Sequence, residues 1–140
     1  TLTTLGIPHA SGIKGTGFSN LPRNLRVLDI SHCFFIEPAY FKDLPPLTVL
    51  KMDCYPSINT VDFSCLHHSL REVEMNYSDF IKDEYFQNLP QNLITLRMKT
   101  CSYITGEGFN NLPKTLRELD ISFCERVRDQ HLSKLPQSLI

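Results

Sequence analysis

Cysteine and histidine are the residues of this chain best suited to chemistry, and two stretches bring them close together. One is His32-Cys33 with Cys54; the other is Cys65-Leu66-His67-His68. Zinc needs four convergent ligands, usually as two closely spaced pairs. Neither stretch supplies them, because neighbours on an extended segment face opposite ways and Cys65 flanks a leucine that must be buried. A nucleophilic thiol needs partial exposure, an electropositive setting and a base within reach. Cys33 is expected to point inward and His32 outward, so that pair fails too. Gly12, Gly15 and Gly17 lack the spacing of a phosphate or dinucleotide loop, and no Lys-Ser/Thr follows them. The expectation is therefore no catalytic residue, no metal and no cofactor. Asn76-Tyr77-Ser78 has the form of a glycosylation acceptor, but it lies in an expected strand and reads as a chance match.

What positions these residues is a repeat. Leu112, Leu116, Leu119, Ile121 and Cys124 recur 23 residues earlier as Leu89, Leu93, Leu96, Met98 and Cys101. Numbering each unit from its strand leucine (Leu2, Leu25, Leu47, Leu70, Leu93, Leu116) aligns whole columns. Slot four reads Leu5, Leu28, Leu50, Val73, Leu96, Leu119, and slot six Ile7, Ile30, Met52, Met75, Met98, Ile121. Slot twelve reads Ile13, Ile36, Ile58, Ile81, Ile104, Val127, and slot seventeen Phe18, Phe41, Phe63, Phe86, Phe109, Leu132. Slot twenty is leucine throughout, followed by proline in every unit but the third, where His67 stands. A fixed period of this length signals a solenoid.

The pattern LxxLx[IM]xxCxx[IV]xxxxFxxLPxx resembles the leucine-rich repeat family along the whole chain. CSYITGEGF (Cys101–Phe109) is similar to the CxxITDxGL half of the cysteine-containing subclass, common in F-box substrate adaptors, although the LPxxL turn makes the present unit shorter. The resemblance implies a slot-nine side chain (Ala10, Cys33, Tyr55, Ser78, Cys101, Cys124) that points inward and hydrogen-bonds to backbone. It also implies a substrate-adaptor role in a ubiquitin-ligase setting, or an effector imitating one.

The local physics agrees with a solenoid. Glu118, Leu119, Asp120 and Ile121 alternate outward and inward, as on a half-buried strand. Pro38 suits a helical first turn and Asp83-Glu84 a helix N-terminus, whereas Gly106 and Gly108 argue for a looser turn. Each Leu-Pro pair should end its helix, since proline favours an extended residue before it. Parallel strands sit about 4.8 Å apart and helices about 8–10 Å, which curves the stack. The expected fold is α/β: a right-handed, curved solenoid with a parallel β-sheet on its concave face and short α or 3-10 helices on its convex face. It should form one domain, 1–140, of six units at about 2–24, 25–46, 47–69, 70–92, 93–115 and 116–138. Neither end carries a polar capping unit, so a longer array or a covering partner is expected.

Charge narrows the partners. The 14 basic and 15 acidic residues are scattered, with a net charge of −1, which leaves no footprint for nucleic acid or an anionic membrane. No apolar run approaches the roughly 18 residues of a spanning helix. Five cysteines with no CxxC pair suit packing in a reducing, intracellular and cytoplasmic setting, and a Cys101–Cys124 bridge is disfavoured by the required dihedral.

The surface remains. Slot five alternates in sign, Asp29, Lys51, Glu74, Arg97, Asp120, and should form a charge ladder that keeps the concave sheet in register and soluble. Slot eight reads His9, His32, Cys54, Tyr77, Thr100, Phe123, with Phe34, Phe35, Phe80 and Tyr103 beside it in slots ten and eleven. Exposed, these rings would form the aromatic cluster that binding hot spots favour. The expected function is binding of another protein, with no nucleic acid, membrane or small-molecule substrate. Its contacts would be Asp29, Lys51, Glu74, Arg97, Asp120, Tyr77, Phe123 and His32. The alternative is a structural subunit or scaffold within a larger assembly.

Overall fold

Residues 1–55 and 63–140 are described by a computed structural model. Six three-residue strands form one parallel sheet in chain order. They are β1 (Thr4–Gly6), β2 (Val27–Asp29), β3 (Val49–Lys51), β4 (Glu72–Glu74), β5 (Thr95–Arg97) and β6 (Glu118–Asp120). Leu5, Leu28, Leu50, Val73, Leu96 and Leu119 stand side by side across it, so slot four is in register from end to end. The unit shortened at Pro45-Pro46 keeps that register through a tighter turn. Leu47 N donates to Pro45 O at 2.7 Å, whereas Leu25 and Leu93 reach three residues back, to Pro22 and Pro90.

Short helices return the chain on the other side: 3-10 segments at Phe18–Asn20, Pro38–Asp43, Asp83–Asn88 and Phe109–Asn111, and α1 at Asp129–Leu132. Pro38 opens the second of these, and Asp83 and Glu84 sit in the first turn of the third. Leu44 and Leu89 end their helices in extended conformation, ψ 144° and 146°, ahead of Pro45 and Pro90. The Gly106–Gly108 stretch leads into only three helical residues.

The core is the set of inward columns. Leu28, Leu50, Val73 and Leu96 are buried with Ile30, Met52, Met75 and Met98 beneath the sheet, and Phe41, Phe86 and Phe109 are buried on the inner side of their helices, in one column with buried Phe63. Neighbouring rings touch, as at Phe86–Phe109 with centroids 6.4 Å apart. Leu5 and Leu119, on the outermost strands, are only partly buried. Ile58, placed in slot twelve, lies outside the described residues.

The last unit departs from the columns. Leu132 was expected to join the phenylalanine column, yet it is 51 % exposed, and His131 is buried instead at 4 %. Leu132 lies in the last unit, where no further unit stacks over it. His131 Nδ1 accepts from Arg128 N at 3.1 Å and its Nε2 lies 3.1 Å from Glu107 Oε1, which holds the ring inward. Slot sixteen also packs backward, onto the preceding unit, rather than under the following one. Tyr40 lies against Gly15 and His131 against Gly106; a Cβ on either glycine would stand 2.9 Å and 2.7 Å from the ring-bearing carbon. Both glycines have positive φ, +100° and +95°, a conformation glycine adopts freely.

Candidate functional site

Slot nine faces inward. Cys33, Cys101 and Cys124 are buried thiols. Each donates to the slot-six carbonyl of the preceding unit: Cys33 Sγ to Ile7 O at 3.1 Å, Cys101 Sγ to Met75 O at 3.5 Å and Cys124 Sγ to Met98 O at 3.1 Å. Burial pushes the Cys101 thiol up to about 12 and also raises that of Cys124, so neither is a thiolate at neutral pH. Tyr55 fills the same slot differently, with its ring edge-on to Phe41 and its hydroxyl on Ile36 O. His32 is not under Cys33 but on the other side, its ring stacked on His9 with centroids 4.2 Å apart. Among the described residues no three His, Cys, Asp or Glu side chains gather as metal ligands.

Slot eight holds a feature that sequence reasoning missed. His9, His32, Cys54, Tyr77, Thr100 and Phe123 all have positive φ, between 55° and 62°. The sheet imposes this turn. His32 N donates to Asp53 O, Tyr77 N to Lys99 O and Thr100 N to Ser122 O, each at 2.8 Å, so the slot-eight amides from His9 to Thr100 are tied to the next unit's slot-seven carbonyl. Left-handed backbone suits glycine, asparagine or aspartate and disfavours bulky or β-branched side chains. This chain places no glycine, asparagine or aspartate there. The faint signal is His9 and His32, since histidine too is enriched at positive φ.

The side chains carried by these turns project outward. Phe123 is 78 % exposed and Tyr77 57 %; Phe34, Phe35, Phe80 and Tyr103 are exposed beside them. Six aromatic rings therefore line the edge where strands pass into the ascending loops. Between Tyr77 and Phe123, with Thr100 as floor, lies a cleft of about 670 Å³ also lined by Lys99, Glu125 and Arg126. Those three residues were not singled out in the sequence, although the slot-eleven column carries a signal: it sets Arg126 beside Tyr103, and the guanidinium lies 5.0 Å from the ring centroid.

The slot-five ladder forms only in part. Lys51 meets Glu74 at 3.3 Å and Arg97 meets Glu74 at 3.3 Å. Arg97 then spreads to slot-three glutamates, Glu72 and Glu118, rather than to Asp120. Asp120 pairs with Lys99 at 3.2 Å, and hydrogen bonds from Ser122, then from Lys99, hold its carboxyl below the usual range. Asp29 accepts from Ser31 N at 3.0 Å. The reason is reach: a long guanidinium fork can serve several carboxylates at once. Slot seven adds a second ladder, Asp53 accepting from Asn76 Nδ2 and Asn76 Oδ1 from Lys99 N. Asn76 is 8 % exposed with both amide atoms engaged, so the acceptor amide of the Asn-Tyr-Ser triplet is not presented to solvent.

Residues 24–44 and 113–135 each match a family described as Leucine Rich Repeat. Those two stretches are leucine-rich repeats. A solved leucine-rich repeat-containing protein, LegL7 from Legionella pneumophila, is similar in fold, with TM-score 0.71 at 15 % identity. The match covers 98 % of this chain and 54 % of that one, so the chain spans about half its length. No curated protein matches the chain by sequence. Leucine-rich repeat domains generally mediate protein–protein interaction and are typically non-enzymatic. Among the described residues no helix is long and apolar enough to cross a membrane.

Proposed function

We propose that this leucine-rich repeat array binds a protein partner along its ascending-loop edge and the adjoining outward face of the sheet. Tyr77 and Phe123 are the anchors; Lys51, Glu74, Arg97 and Asp120, with Asp29 and His32 towards the other end, form the polar field around them. One observation carries this reading. Large rings stand exposed on backbone that disfavours them, and backbone strain of that kind concentrates where surfaces act. Packing gives no reason for a phenylalanine at position 123.

In this reading the chain is one domain of six units and has no reaction of its own. It serves as the recognition element of an adaptor or effector in a reducing, cytoplasmic setting, which its buried thiols suit. The test is capture from a proteome with this chain as bait. Tyr77→Ala with Phe123→Ala abolishes capture while stability moves by less than about 1 kcal/mol per site, as for surface changes. Capture that survives the double change ends the proposal.

A structural subunit is the second reading, favoured by apolar side chains exposed at Leu2 and Leu132. Sedimentation separates the two. A monodisperse monomer supports the partner-binding edge; end-to-end association supports the assembly.

A further inference from the structure

We propose that the cleft between Tyr77 and Phe123 receives an arginine side chain from an extended segment of the partner, a refinement that rests on the protein-binding reading above. Tyr77 and Phe123 occupy the same slot two units apart, and Thr100 between them carries no ring. Strand spacing of about 4.8 Å sets their backbones roughly 9.6 Å apart. A flat group held at about 3.5–4.0 Å from two ring faces needs roughly 7–8 Å. In the proposed complex the two exposed side chains lean across the gap to that width. A guanidinium is flat, stacks on aromatic faces and keeps its N–H fork in the plane between them.

Charge decides the sign. Aromatic faces are negative and attract cations. Glu125 is an exposed residue at the cleft, and among the described residues no ion pair engages its carboxylate; Arg128 turns instead to the main-chain carbonyls of Glu125 and Val127. The two cations at the cleft are already occupied. Lys99 is paired with Asp120 at 3.2 Å, and Arg126 lies over Tyr103. That last contact is the same chemistry made within the chain, at the rim of the cleft: an arginine laid on an exposed ring of this edge. What remains unmatched between Tyr77 and Phe123 is two π-faces and one carboxylate, the complement of a guanidinium.

The test uses blocked tripeptides, acetyl-Gly-Arg-Gly-amide and its lysine and glutamate counterparts, titrated into the isotope-labelled chain and followed by NMR. The arginine peptide is expected to shift the Tyr77 and Phe123 ring signals and the Thr100 amide saturably, and to bind several-fold tighter than the other two. Glu125→Gln weakens it about threefold, the scale of an exposed ion pair, and Phe123→Ala removes the saturable shift. A glutamate peptide that binds as well overturns the proposal, because Arg126 and Lys99 would then set the sign. Equal binding of lysine overturns it as well, as does the lack of a saturable response to any of the three. These failures differ from failure of the broader reading. A double Tyr77, Phe123 variant that still captures the partner sinks both, whereas lost capture with no arginine response sinks the arginine alone.

Discussion

Thr100 and Cys101 are adjacent in the chain and opposite in circumstance. Cys101 is fully buried, its thiol bonded to Met75 O and its acidity suppressed by burial. Thr100 lies on strained left-handed backbone at the floor of an exposed cleft. The same contrast recurs at His32 and Cys33 and at Phe123 and Cys124. Slot nine is chosen by the fold, since its side chain is buried and Cys33, Cys101 and Cys124 each reach the preceding unit's slot-six carbonyl. Slot eight is chosen against the fold, since its backbone asks for glycine and the chain supplies histidine, tyrosine, threonine and phenylalanine. One residue of separation divides what holds the solenoid together from what it presents.

That contrast can be broken most forcefully from the inside. Phe109→Ala deletes a buried ring stacked on Phe86 and should cost about 3–5 kcal/mol, read as a fall in urea midpoint. A midpoint unchanged would mean the inward columns do not carry stability. Next comes the clasp between units on the helical side. Asp83 accepts from Thr105 N at 2.8 Å, Gly106 N at 2.9 Å and Gly108 N at 3.1 Å, so Asp83→Ala orphans three amides and should cost about 2–4 kcal/mol. Gly108→Ala strikes the same clasp from the other side, since its Cβ would stand 2.6 Å from Asp83 O.

Smaller effects sharpen the comparison. Cys101→Ala loses one buried thiol contact and should cost about 1–2 kcal/mol in the same assay, while Thr100→Gly should gain about 0.5–1 kcal/mol as left-handed strain is relieved. Opposite signs at neighbouring positions are the signature to look for; a loss at both would refute the strain. The Cys101 thiol is raised from 9.0 to about 12, so the folded chain holds that proton longer than the unfolded one. Its contribution is whole below pH 9 and is lost as pH rises towards 12. Alkylation at pH 8 should accordingly leave Cys101 unmodified until urea unfolds the chain. The mildest effect is acidic. Hydrogen bonds from Lys134 and His131 lower the Glu107 carboxyl, so its stabilising share is present above the ordinary carboxylate range and lost as pH falls below it. Glu107→Gln should flatten the acid limb of the stability profile slightly.

The parts of this molecule that were legible in the sequence are those a period makes redundant. Leu28, Leu50, Val73 and Leu96 meet the same surroundings in successive units, so each confirms the others and the inward face can be read as a column. The same holds for slot nine and its carbonyl partner. Legibility fails where one side chain is free to choose. Arg97 reached sideways to Glu72 and Glu118 because its length allows it, and no rule of alternating sign contains that length. His131 is buried because Arg128 and Glu107 hold its ring, and Leu132 is exposed because no further unit covers it. The left-handed turn at slot eight was hidden for the opposite reason: glycine, asparagine and aspartate are missing from all six positions, and histidine marks only two of them. Another ladder was also overlooked, in which Asn24, Ser69 and Ser138 side chains donate to the carbonyls of Leu2, Leu47 and Leu116.

Because the slot-eight turns from His9 to Thr100 are fastened by main-chain bonds to the neighbouring unit, their shape is held whatever residue sits on them. The edge therefore behaves like a row of interchangeable keys on a fixed keyboard. Diversifying His9, His32, Cys54, Tyr77, Thr100 and Phe123 together would retune what the array grips while the scaffold beneath keeps its form.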